Sequence, residues 1–102
     1  MRVSILAGAL FVMSTYTQAH SIFVDCEHQG SDVRCLASFS DGSSADNLPY
    51  EVLSYDEDSL VSGRTDEKSV FKFVTPEEEY FILLDAGPGH VVEVDMQDVV
   101  GE

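Results

Sequence analysis

Short runs of alternating apolar and polar residues follow one another along most of the chain. Beyond residue 19 no apolar period typical of a helix is sustained, and the runs are rich in β-branched and aromatic residues. Segments of Gly, Pro, Asp and Ser separate them, as expected for turns. The pattern predicts an all-β domain with seven strands, at residues 20–27, 32–39, 49–55, 59–64, 69–75, 79–85 and 90–96.

The same alternation assigns side chains to two faces of each predicted strand. Cys26 shares one face of the first strand with Ile22 and Val24, and Cys35 shares one face of the second with Val33, Ala37 and Phe39. A hairpin would place the two cysteines opposite each other, which favours a disulfide; use of both as metal ligands beside His28 remains the alternative. The later runs add inward positions to one two-sheet core, namely Val52, Phe71, Phe73, Ile82, Leu84, Val92, Val94 and Met96. Residues 97–102 are predicted to be a frayed or short extension.

Residues 1–19 have the charged, apolar and small-residue order of a cleavable signal peptide. Their apolar stretch is much shorter than the about 20 residues of a spanning helix, so a permanent membrane anchor is the weaker interpretation. We expect cleavage after Ala19, a domain at residues 20–102 that begins with His20, and a periplasmic or secreted location. The oxidising compartment favours the Cys26–Cys35 disulfide.

The charge balance limits the partners of this domain. The chain has 5 Lys and Arg against 19 Asp and Glu, a formal net charge of −14. The negative electrostatic potential of such a chain repels nucleic acid and anionic membrane surfaces and attracts cations. We therefore expect no nucleic-acid partner and no membrane insertion of the mature protein. Most individual carboxylates are interpreted as solubilising.

The histidines are the candidate metal ligands. His20 and His90 each open a predicted strand on the inward side, and parallel pairing of the first and last strands would bring them to one end of the domain with Asp85. Cleavage before His20 would give it a free α-amine beside its imidazole. With His90 and Asp85 this makes a nitrogen-rich set suited to copper(II) or nickel(II), with zinc also possible. Asp85 is either a further ligand or the acceptor that orients the His90 ring. His28 falls at the opposite end of the first strand. An isolated histidine at either position would more often be a polar edge residue.

Other chemistry has little support in the sequence. There is no Gly-x-Ser-x-Gly elbow, no phosphate-binding glycine loop, and no free cysteine once the disulfide forms. The acidic turns at 56–58 and 66–67 lack the residue order of a calcium loop. We therefore expect that the protein is not an enzyme.

Residues 39–90 resemble the carboxypeptidase regulatory-like, transthyretin-type sandwich modules. The matching stretches are 39–43, the Tyr-Glu-Val-Leu-Ser-Tyr run at 50–55, 63–67, 71–73 and the Asp-Ala-Gly-Pro-Gly-His segment at 85–90. Lys68-Ser69 departs from the glycine that usually follows Thr-Asp-Glu in such modules.

In particular the chain is similar to small exported proteins encoded with bacterial nickel and cobalt uptake systems. That resemblance implies a sandwich of immunoglobulin-like or transthyretin-like type and capture or delivery of nickel or cobalt, while copper is favoured by the nitrogen-rich ligand set. It also implies a membrane metal-transport complex as partner. The alternative is a metal-free interaction or adhesion module that binds another protein through a sheet edge.

Overall fold

The computed structural model describes residues 21–101, and these form the predicted all-β domain. The only helix among them is a single 3-10 turn, Met96–Asp98. All seven predicted strands are confirmed, with ends shifted by two residues or fewer. They are β1 (Ile22–Gln29), β2 (Asp32–Phe39), β3 (Pro49–Ser54), β4 (Ser59–Arg64), β5 (Val70–Val74), β6 (Tyr80–Asp85) and β7 (Val91–Asp95).

The strands form two antiparallel sheets that face each other. One has three strands in the order β1-β2-β5, and the other has four in the order β4-β3-β6-β7. The ring of Tyr50 on β3 stacks on the ring of Phe71 on β5, with centroids 4.1 Å apart. The core therefore lies between the sheets, as the alternation predicted.

The β1–β2 hairpin confirms the predicted disulfide. Cys26 and Cys35 are direct partners in the antiparallel register. Their Cα atoms are 4.0 Å apart and their sulfur atoms are bonded. Gly30 begins the two-residue turn with a φ of 64°, a left-handed angle that glycine adopts without steric cost. Neither cysteine is left to bind a metal.

The predicted core residues are inside. Six of the eight are buried, and Val92 and Met96 are partly buried against them. Several further buried positions were not predicted, some of them on the inward alternation of a strand and some outside it. These are Ala45 in the β2–β3 loop, Tyr50 and Tyr80 at the first inward positions of their strands, and Val99 beyond β7.

The chain beyond β7 is packed, so the frayed alternative for residues 97–101 is wrong. Val99 is buried, and Val100 lies parallel to β1 opposite Glu27. The His28 N–H donates to the Val100 carbonyl at 2.8 Å, and the Val100 N–H donates to the Cys26 carbonyl at 2.9 Å. The extension thus covers part of the outer edge of β1.

Candidate functional site

The β6–β7 hairpin carries two of the three predicted metal ligands. Asp85 is the last residue of β6, and His90 directly precedes β7. The loop between them closes through two backbone bonds, from Ala86 N–H to the His90 carbonyl and from His90 N–H to the Gly87 carbonyl, both 2.8 Å long. The Asp85 Oδ1 atom accepts the Gly87 N–H at 2.9 Å. Asp85 and His90 therefore flank one hydrogen-bonded loop.

The His90 ring has a defined partner in the same loop. Its Nδ1 lies 3.1 Å from the Pro88 carbonyl oxygen. A carbonyl accepts only, so this contact requires the proton on Nδ1, which leaves the lone pair on Nε2. Metal-binding histidines use this arrangement, in which the second ring nitrogen donates to a carbonyl or carboxylate. The Pro88 carbonyl, and not the Asp85 carboxylate, is therefore the group that orients the His90 ring.

His20 and the predicted signal peptide lie outside the described residues. The next residue, Ser21, is fixed beside the end of β2. Its N–H donates to Ser40 Oγ at 3.0 Å, and its carbonyl accepts the Ser40 N–H at 2.8 Å. The described chain therefore starts from an anchored position.

Strand direction puts Ser21 and His90 at the same end of the domain. Ser21 bonds to Ser40 just after the end of β2, and the β2–β3 loop leads from there to the start of β3, where Tyr50 pairs with Leu84 near the end of β6. The β2–β3 loop is at this end too, since β2 finishes there. Its Ala45 N–H donates to Ser69 Oγ at 2.9 Å, and its carbonyl accepts the Thr65 hydroxyl at 2.7 Å. His28 is near the other end of β1, beside Val100.

The described residues do not form a metal centre by themselves. Within 21–101 no group of three or more His, Cys, Asp or Glu side chains is arranged to hold a metal ion. On the β6–β7 loop the candidate donors are the His90 Nε2 atom and the Asp85 carboxylate, and the predicted ligand set adds the nitrogens of His20. Across the same range no helix is long and apolar enough to cross a membrane.

A second feature, absent from the sequence analysis, is the outer face of the four-stranded sheet. Leu53, Tyr55, Phe81 and Leu83 line one shallow depression there, and we call them the apolar strip. Leu53 and Phe81 are direct cross-strand partners. Outward positions of a half-solvated antiparallel sheet are normally polar. The apolar residues at the outward positions 53, 81 and 83 were the signal in the sequence that could have predicted this strip.

One hydrogen bond fixes the aromatic end of this strip. The Tyr55 hydroxyl is 3.1 Å from both carboxylate oxygens of Asp95 and donates to that group. The Tyr55 ring lies against Phe81, with centroids 6.2 Å apart. Desolvation of the phenol, followed by the bond to Asp95 and the nearby negative charges, raises the pKa of Tyr55 above its ordinary value of 10.0. Phe81, Tyr55 and Asp95 thus form a connected group on the surface.

Comparisons with known proteins add no relative: no family model, no curated protein and no solved structure matches this chain.

Proposed function

We propose that this is an exported transition-metal-binding protein that captures or delivers nickel, cobalt or copper through a site built on His20, His90 and Asp85. The observation that carries the proposal is the His90 ring, whose bond to the Pro88 carbonyl leaves Nε2 as the donor nitrogen at the end where Ser21 is anchored. His20 is one peptide bond from that anchor.

The donor types fit these metals. Imidazole nitrogen and a free α-amine suit nickel(II) and copper(II) better than calcium or magnesium, which prefer oxygen. In the proposed site the His20 amine and ring bind together, His90 contributes Nε2, and the Asp85 oxygen not bonded to Gly87 is a further ligand. Nickel(II) and copper(II) bind nitrogen ligands strongly, and the Pro88 carbonyl keeps the His90 ring oriented for such binding.

Export and delivery rest on the leader-like residues 1–19 and on the disulfide. A disulfide is typical of an oxidising compartment. The resemblance of residues 85–90 to exported nickel and cobalt proteins supports delivery to a membrane metal-transport complex. We therefore propose a periplasmic or secreted location.

The strand order favours the immunoglobulin-like form of sandwich over the transthyretin-like form. In immunoglobulin domains the first, second and fifth strands share one sheet, and the third, sixth and seventh share the other. The same division holds here except for the fourth strand, which pairs with β3 instead of joining the sheet of the first, second and fifth strands as in constant-type immunoglobulin domains. In such a sandwich the ends of β2 and β6 lie at the same end of the domain.

Calorimetric titration of the exported, processed protein with nickel(II) and copper(II) tests the proposed function. Mass spectrometry first establishes that the mature chain starts at His20. One metal should bind per chain, and His90→Ala should weaken binding by at least about tenfold through loss of one nitrogen ligand. One extra residue before His20 should weaken it similarly, because the α-amine becomes a peptide nitrogen.

His28→Ala is the matched control, since it removes the same side chain near the other end of β1 and should leave metal binding unchanged. Parent-like affinity in both the His90→Ala and the extended proteins would show that the site is wrong. A mature chain that begins after His20 would contradict it as well.

One observation favours a second function, a metal-free interaction or adhesion module. The four-stranded sheet ends on β4, whose outer edge pairs with no strand among residues 21–101. An open edge can accept an extended segment of another protein through backbone hydrogen bonds. A processed parent protein that binds neither nickel nor copper would favour this function.

A further inference from the structure

The apolar strip is unusual for a sheet surface. The inward neighbours of its residues, Val52, Ile82 and Leu84, are fully buried, so the core of this sheet is already complete. Leu53, Phe81 and Leu83 nevertheless stand half-buried on the opposite face, and Tyr55 is 47% exposed. No described segment covers them. Burial of such a strip against a partner would remove further apolar surface from water.

Carboxylates surround the strip on several sides. In the strand register Leu83 lies between Glu51 on β3 and Glu93 on β7, and Phe81 lies opposite Asp95. Glu57 lines the same depression. We call Glu51, Glu57, Glu93 and Asp95 the acidic border.

Basic residues are scarce on this face. Of the residues that line its two adjoining depressions, Arg64 alone is basic. The Arg64 guanidinium donates to the Asn47 carbonyl at 2.8 Å, which directs it towards the β2–β3 loop. The face is therefore apolar in the middle and negative at its margin.

The outer face of the three-stranded sheet differs. It also carries exposed apolar side chains, Phe23 and Leu36. Its register, however, sets Arg34 between Glu27 and Lys72, and Lys72 lies 4.0 Å from Asp32. Opposite charges are neighbours on that face. The combination of an apolar centre with a border of one sign is confined to the four-stranded sheet.

We infer that the outer face of the four-stranded sheet is a docking surface for a cationic protein segment that has apolar side chains between its Lys or Arg residues. The apolar side chains cover Leu53, Phe81 and Leu83, while the cationic groups pair with the acidic border. The Tyr55 ring, held by Asp95, offers its face to a Lys or Arg as a cation–π partner. The surface uses none of the proposed metal ligands.

Charge complementarity selects this occupant over two others. A second copy docked through the same face would bring an identical acidic border against Glu51 and Glu93, and like charges in contact oppose binding. An anionic membrane is repelled for the same reason by a chain of net charge −14. A basic segment gains both from the apolar strip and from its border.

Nuclear magnetic resonance titration with short synthetic peptides tests the inference. The probe is a peptide of alternating lysine and leucine, compared with one of lysine and serine and one of glutamate and leucine. The lysine–leucine peptide should bind and shift the backbone amide signals of Leu53, Phe81 and Leu83. The other two should bind at least about tenfold more weakly, since each lacks one of the two required contacts.

Variants then distinguish binding at this surface from nonspecific attraction of a cationic peptide to an acidic protein. Leu83→Thr should weaken the lysine–leucine peptide by about tenfold through lost apolar contact, and Glu93→Lys should weaken it by reversing a border charge. Leu36→Thr is the matched control, because Leu36 is an exposed leucine on the other sheet, and it should bind like the parent. Unchanged thermal unfolding midpoints establish that each variant is folded.

Four results would overturn the inference. If the lysine–serine peptide bound as tightly as the lysine–leucine peptide, charge alone would account for the binding. If Leu36→Thr and Leu83→Thr lost the same amount of affinity for the peptide, binding would not be specific to the four-stranded sheet. Amide signal shifts spread over both sheets would lead to the same conclusion. Concentration-dependent dimerisation of the parent in sedimentation experiments, abolished by Leu83→Thr, would assign the face to a second copy. Loss of metal binding in His90→Ala leaves all these measurements unaffected.

Discussion

Gly63 on the edge strand β4 lies directly beneath the ring of Tyr50, its cross-strand partner on β3. A Cβ atom on Gly63 would stand 2.9 Å from Tyr50 Cε1 and 3.1 Å from the Tyr50 hydroxyl. Because Tyr50 stacks on Phe71, its ring cannot move aside without disturbing the contact between the sheets. An aromatic ring that covers a glycine on an edge strand is a known means of fixing strand register.

Gly63→Ala should therefore lower the free energy of unfolding by about 1–2 kcal/mol, since the clash outweighs the gain in strand stability from replacing glycine. Chemical denaturation of the variant measures this. Ser62→Ala, on the exposed outward side of the same strand, is the control and should change little. Parent-like stability of Gly63→Ala would show that Tyr50 relaxes freely.

Removal of the Cys26–Cys35 disulfide should lower the free energy of unfolding by about 2–3 kcal/mol, the value expected for a short closed loop. The double variant Cys26→Ala/Cys35→Ala, followed by chemical denaturation, gives the value. Unfolding of the parent with and without a reducing agent should give a similar difference. Two alkylatable thiols in the exported, non-reduced parent would contradict the bond.

Asp66 should make stability depend on pH. Its Oδ1 accepts the N–H groups of Val70 at 3.0 Å and Lys68 at 2.8 Å, and these bonds, Val70 first, hold the pKa of Asp66 below its ordinary value of 3.8. Because the folded state favours the ionised form, the stabilisation is present above that ordinary value and is lost as the pH falls through the lower folded value.

Asp66→Asn should consequently be less stable than the parent at pH 7, and the two should converge under acid. Thermal unfolding across a pH series follows the difference. Glu67→Gln, which removes one charge from the same exposed turn, is the control. A difference that stays constant down to the acid limit would refute the role of the charge.

Tyr80→Phe should raise the free energy of unfolding by about 1 kcal/mol. Tyr80 is 1% exposed, and its hydroxyl has no hydrogen-bond partner among residues 21–101, so the folded state carries the cost of its desolvation. The ring keeps its edge contact with Phe73 in the variant. Tyr50→Phe is the comparison, because the Tyr50 hydroxyl donates to the Lys72 carbonyl at 3.4 Å and its loss should not stabilise. A destabilised Tyr80→Phe would indicate a bound water on the hydroxyl.

Local rules account for the elements that were predicted correctly. Strand positions, inward faces and the opposition of Cys26 and Cys35 follow from a period of two residues and a short turn at Gly30, which involve neighbours in sequence. Ala45 and Val99 escaped because their burial depends on distant partners, whereas Tyr50 lies on the inward alternation of β3 and was predictable from it. Ala45, for example, is held by Ser69 and Thr65 of the β4–β5 turn.

The candidate sites divide in the same way. Three features can be read directly from the sequence: the residue types at the β6–β7 loop, the alternation that turns Leu53, Phe81 and Leu83 outward, and the acidic composition. The contacts of Tyr55 with Asp95 and of Val100 with β1 join distant residues and required the folded structure, and the contact of Pro88 with the His90 ring required the local shape of the β6–β7 loop. Alternation of apolar and polar residues fixes the side of a strand on which each residue lies, but it does not choose the neighbouring strand. Which strands become neighbours depends on the joint packing of both sheets around one core.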